Sequence, residues 1–153
     1  MPIEENPSSA SAPAAAKKPI PAYRSRLKAE RSDELFVEIM TSLTQQKLYR
    51  DPTFTAKKLA AILHTNTRYI SSAIANNTAG NYNTLINTLR LRDACAMLRS
   101  RRFLHHSIEE IGLLAGFASR QSFYTCFLAT MATTPNTYRM QYIPEAGQRV
   151  HKN

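Results

Sequence analysis

Two short runs of this sequence carry side chains suited to reading the edges of nucleic-acid bases. Thr67, Arg68, Ser71 and Ser72 lie in the first, and Arg120, Gln121, Tyr124 and Thr125 in the second. Arginine can bond guanine O6 and N7 with both arms, and glutamine can pair with adenine N6 and N7. Arg68 and Gln121 are therefore the leading candidates. Arg68 could equally be a phosphate contact or a solvated charge at a helix start, and Tyr124 could meet a thymine methyl or a phosphate. Lys57, Lys58, Tyr69, Arg90, Arg92, Arg101, Arg102 and Ser119 suit phosphate oxygens, which position a protein without specifying sequence. Arg139 is a weaker candidate of the same kind, and Arg101-Arg102 could instead be a solvated basic turn.

Other chemistries lack a constellation. His105-His106 have no carboxylate or thiol set at metal-ligand spacing, and Cys95 and Cys126 sit in apolar helical patterns that suit buried small side chains. No glycine-rich phosphate loop and no nucleophile elbow occur. The sequence predicts neither an enzyme nor a metal, cofactor or small-molecule site. Two widely separated cysteines argue against a disulfide scaffold, and no apolar run reaches the roughly 18 to 20 residues of a membrane span. The N-terminus has no secretory pattern, so the expected compartment is the cytoplasm.

Those runs need elements to hold them. The 153 residues carry a formal charge of +9, and the surplus is placed unevenly. From Thr55 to Tyr142 there are ten lysines and arginines against three acids; the first 54 residues carry eight against seven. The excess thus coincides with the strongest helical patterning, which predicts a folded basic surface facing an acidic partner. Residues 1–31, rich in Ala, Pro, Ser and Lys, are predicted to be a disordered tail or linker. Its Lys17, Lys18, Arg24, Arg26 and Lys28 could brush phosphates, but a solvated linker is the preferred reading.

A folded region is predicted over residues 32–143. Its first helix is expected from Ser32 as N-cap, carrying Leu35, Ile39 and Leu43, and ending at Asp51-Pro52. Thr55 then caps a short helix with Leu59, Ile62 and Leu63 on its apolar side. After Thr65-Asn66-Thr67 comes a helix with Ile70 and Ile74 inward. A longer helix spans about Tyr82 to Ser100. Ser107-Ile-Glu-Glu110 is a capping box opening a helix with Ile111, Leu114 and Ala115 inward. Gly116-Phe117-Ala118 makes a turn before a helix at Arg120 with Phe123 and Phe127 inward. Pro135 suits the first turn of a last helix, and residues 144–153 are expected to be a flexible C-terminal tail. Helix starts at Thr55, Thr67, Ser107 and Ser119 would offer amides to phosphates.

The short-helix pairs repeat. Thr55 matches Ser107, Leu59 matches Ile111 and Leu63 matches Ala115 at a spacing of 52; Ile70 matches Phe123 and Ile74 matches Phe127 at 53. One extra residue in the second turn explains the step. The predicted fold is all-α: two helix-turn-helix subdomains, a homeodomain-like pair, joined by a long linker helix.

The run from Ser107 through Gly116-Phe117 to Phe127, followed by Thr134-Pro135 and Tyr138-Arg139, resembles the signature of the AraC/XylS family of transcription regulators. Leu59-Ala60, Arg68 to Ile74, Asn81-Tyr82 and Leu85-Ile86-Asn87 resemble the family's first unit. Lys47 to Thr55 is similar to the version in Bacteroidetes regulators, where the domain often closes a longer sensor or response-regulator chain. The resemblance covers about Asp33 to Tyr142. It implies binding of double-stranded promoter DNA, with RNA polymerase or a sensor on another chain as further partners. By carry-over, Arg68, Ser71, Ser72, Gln121 and Thr125 fall at base-reading positions. Gly80 stands one residue later than the family's usual glycine. Gly112 replaces a common alanine, which should cost its helix about 1 kcal/mol. The competing reading, left open by the small Ser71 and Ser72, is a degenerate domain that binds protein or binds nucleic acid without sequence preference.

Overall fold

The computed structural model describes residue 19 and residues 21–151, with side chains described through residue 147. Its order is α1 (Ala22–Gln45), a 3-10 turn at Leu48–Arg50, α2 (Ala56–Ile62), α3 (Thr67–Asn77), α4 (Tyr82–Leu98), a 3-10 turn at Arg101–Phe103, α5 (Ile108–Ala115), α6 (Arg120–Met131), α7 (Pro135–Tyr142) and 3-10 turns over Pro144–His151. The described residues contain no strand, and the all-α expectation holds.

The first helix departs from expectation at both ends. It begins ten residues before Ser32, directly after Pro21, and it ends at Gln45, with Lys47 in the left-handed region at φ 50°. Residues 22–31 contain neither proline nor glycine, so nothing in them opposes a helix that the rest of α1 has already nucleated. The cap signal at Ser32 is spent otherwise: Asn76 Nδ2 of α3 donates to its hydroxyl at 3.0 Å. Residues 22–31 are therefore helix rather than linker, while Lys17 and Lys18 lie outside the described residues. Beyond the buried Ile143, Pro144–His151 forms 3-10 turns, and Arg101 donates to Glu145 at 3.0 Å.

Most predicted caps are in place. Thr55, Ser107 and Ser119 each accept an amide hydrogen bond at their helix starts, and Ser107 with Glu110 completes the capping box in both directions; Thr134, not foreseen as a cap, also accepts an amide hydrogen bond before Pro135. Bonds from Ser107 hold the Glu110 carboxyl below its ordinary pKa. At α3 the cap is Asn66, not Thr67. The two turns also match: His64 (φ 51°) and Gly116 (φ 107°) both have positive φ, 52 residues apart, and the extra residue of the second unit follows Gly116.

Two cores result, and α4 serves both. Its Ile86 and Leu89 join Ile39, Leu43, Leu59, Ile70 and Ile74 in the first; its Leu91, Ala94, Met97 and Leu98 join Ile111, Phe117, Phe123 and Phe127 in the second. That double duty explains why apolar residues surround α4 instead of forming one stripe. Ile62 and Leu114 are both 44% exposed, against expectation. Each sits three residues after a buried apolar residue, Leu59 or Ile111, and the two stand 52 residues apart, so each falls beside the buried stripe at the same place in its unit.

Candidate nucleic-acid interface

The repeat predicts that α3 and α6 have the same inside and outside. In α3, Ile70, Ala73 and Ile74 are buried, and Thr67, Arg68, Tyr69, Ser71 and Ser72 are exposed. Arg68, Ser71 and Ser72 fall at i, i+3 and i+4, one face of the helix. In α6, Phe123 and Phe127 are buried while Arg120, Gln121 and Thr125 are exposed. Gln121 and Thr125 stand at the 53-residue equivalents of Arg68 and Ser72, so like positions face outward in both units. Tyr124 is divided: its ring lies edge-on to Phe123 at 6.2 Å, and the Arg120 guanidinium sits 5.2 Å from its centroid. That stack holds Arg120 close against the α6 surface.

The predicted phosphate residues separate into two groups. Lys57 and Lys58 are exposed on the first turn of α2, where Lys58 Nζ donates to Thr53 Oγ1 at 3.1 Å, and Arg92 is exposed on α4. Tyr69 is 60% exposed. Arg101 pairs with Glu145, and Arg102 lies over the Phe103 ring at 6.0 Å. The Ser119 amide donates to the Ser122 hydroxyl at 3.2 Å, so that donor is already used locally.

Arg90 belongs elsewhere. Its Nε donates to the Tyr49 carbonyl at 2.7 Å and its Nη2 to the Asp51 carbonyl at 3.2 Å, and its guanidinium lies 6.0 Å from the Phe117 ring. A guanidinium spent on two carbonyls is a strut, and burial lowers its pKa. Arg139 is only 7% exposed, with Nη2 buried and without a hydrogen-bond partner. It too stands inside the fold, its pKa lowered by burial.

Arg90 is part of a junction that sequence reasoning missed. Tyr49 is buried and donates its hydroxyl to Asp93 Oδ2 at 2.8 Å; Arg50 Nε donates to the same oxygen at 2.7 Å. Burial, then the bond to Asp93, raises the Tyr49 pKa, so the phenol stays protonated as the donor. The turn at Gly116 closes against this point: a Cβ there would fall 2.6 Å from the Arg50 Cα, and closer still to the Tyr49 carbonyl oxygen. The Leu48–Arg50 turn, α4 and the second unit's turn thus lock together, which ties α3 and α6 to one frame. Pairs more than 40 residues apart leave no local signature; Asp93, the lone acid in a long basic stretch, was the available hint.

Burial raises the pKa of both Cys95 and Cys126, which keeps them as thiols. Among the described residues no group of three or more His, Cys, Asp or Glu could hold a metal ion, and no helix is long and apolar enough to cross a membrane.

Comparison with known proteins gives two matches. Residues 59–141 match the family described as Helix-turn-helix domain, of the AraC type. Among solved structures, the chain resembles the C-terminal domain of AraT, a response regulator from Geobacillus stearothermophilus, with a TM-score of 0.56 and 22% identity. The match covers 74% of this chain and 84% of that one. At this identity the likeness speaks to the fold. No curated protein matches the sequence.

Proposed function

As this chain belongs to the AraC-type helix-turn-helix family, we propose that it is a transcription regulator that binds double-stranded DNA by sequence, placing α3 and α6 in two successive major-groove segments. The observation that carries this reading is the equivalence of the two outward faces. Arg68 and Ser72 on α3 and Gln121 and Thr125 on α6 occupy matching positions, each backed by a core face that fixes the helix rotation. The 17 residues of α4 give a spacer of about 26 Å between the units, of the order of the 34 Å that separates successive groove segments on one side of a duplex. Arg68 would read guanine, Gln121 adenine, and Ser71, Ser72, Thr67 and Thr125 would add single hydrogen bonds. Lys57, Lys58 and Arg92 would meet phosphates.

Arg68→Ala and Gln121→Ala test the division of labour on a duplex selected by the wild-type protein. Each should weaken binding roughly 5- to 150-fold, the worth of one good base contact, and each should relax preference at one block only. A weakening of equal size on a scrambled duplex, or no weakening, would contradict base reading. A module that binds protein instead would show no preference between the two duplexes at all, and binding by charge alone would show salt dependence without preference.

A further inference from the structure

The ten residues by which α1 exceeds expectation create a feature that the two-helix reading does not use. Between the first turns of α1 and the exposed side of α3 lies a groove of about 750 Å³. Arg24, Lys28 and Arg31 line it from α1 at i, i+4 and i+7, so they form one basic stripe; Arg68 and Tyr69 line it from α3. No acidic residue lines it, although Glu30, Asp33 and Glu34 belong to the same helix. Leu27 and Leu35 form part of the wall, and the Asn76–Ser32 hydrogen bond ties α1 to α3 at the groove. The stripe is thus held in register with the recognition helix.

We propose that this stripe is a phosphate rail: Arg24, Lys28 and Arg31 take the backbone of one DNA strand flanking the groove segment entered by α3. The inference rests on the reading that α3 meets a duplex. Arg68 and Ser72 line the groove and also belong to the reading face, so a duplex seated on that face runs its backbone beside the stripe. Arg24 to Arg31 spans about 10 Å of helix, close to the axial length of three phosphate steps on one strand at about 3.4 Å each. The rail adds affinity and orientation but no base preference, because phosphates carry no sequence.

The test compares the triple variant Arg24→Gln/Lys28→Gln/Arg31→Gln with Arg26→Gln, a basic residue of the same helical segment that does not line the groove. Glutamine keeps helix propensity, and circular dichroism checks that both variants retain wild-type helix content. Binding is titrated between about 50 and 200 mM salt on the selected and the scrambled duplex. The triple variant should lower the slope of log affinity against log salt by roughly 2 to 3, about 0.9 for each phosphate no longer neutralised. Its affinity should fall roughly 100-fold on both duplexes with the preferred sequence unchanged, and Arg26→Gln should behave as wild type. A slope equal to wild type, or a fall no greater than that of Arg26→Gln, overturns the rail while leaving base reading intact. If the wild type shows no preference between duplexes, base reading fails, and the slope difference on the scrambled duplex still decides the rail. A wild type that binds neither duplex overturns both.

Discussion

Gly116→Ala is expected to destabilise the protein by roughly 3 kcal/mol or more, lowering its melting temperature by about 10 °C, and to weaken two-site DNA binding beyond what the loss of fold explains. Two effects combine. At φ 107° the backbone lies where L side chains rarely go, and the added Cβ would meet the Arg50 backbone at 2.6 and 2.9 Å as well as the Tyr49 carbonyl. The first effect is backbone strain: His64 carries a full side chain at the matching position of the first unit, but at φ 51°, inside the left-handed region open to L residues. The second decides the magnitude, because backbone cannot step aside as a flexible side chain can. The turn must back away from Leu48–Arg50, the point where Tyr49, Arg50, Asp93 and Arg90 are joined. Moving it moves α6 relative to α3. Thermal unfolding gives the stability loss, and affinity for a two-block duplex against each single block gives the coupling loss.

Phe123→Ala should cost about 3–5 kcal/mol, the range for emptying a large aromatic site in a packed core. Phe123 is fully buried, with its ring 5.1 Å from Phe117 and 5.6 Å from Phe127, and the aromatic chain continues to Tyr138. Phe123 also explains Gly112. Helix propensity alone says that alanine at 112 should help by about 1 kcal/mol. A Cβ there, however, would fall 2.6 Å from Phe123 Cδ1. Gly112→Ala is therefore expected to destabilise by about 1–3 kcal/mol through overpacking. In the Phe123→Ala background the same substitution should become neutral or favourable. Urea unfolding of the four proteins closes the cycle; additive effects would show that the two residues do not meet.

The repeat, the capping box at Ser107 and the two turns are legible because each is written in local signals: a cap residue, a charged partner three positions on, a glycine, an apolar residue one turn later. The outward faces of α3 and α6 follow once Ile70, Ile74, Phe123 and Phe127 are placed inside. The start of α1 is not legible, because Ser32 offers a good cap and residues 22–31 show only a basic stripe that α3 gives a purpose. Arg90 resembles its neighbour Arg92 in sequence, and only the Tyr49 and Asp51 carbonyls, about forty residues away, distinguish strut from surface charge. Gly112 misleads for a related reason: propensity is local, and the Phe123 ring that requires a glycine lies on another helix.

Whether two helices of one chain read two groove segments is tested most directly by selecting sites from a random duplex pool at near-physiological salt. The enriched site should carry two conserved blocks about one helical turn, 10 to 10.5 base pairs, apart. The block that relaxes in Arg68→Ala should differ from the block that relaxes in Gln121→Ala. Enrichment of one block only would contradict two-groove reading, and no enrichment, with affinity falling equally with salt for every duplex, would contradict sequence reading altogether.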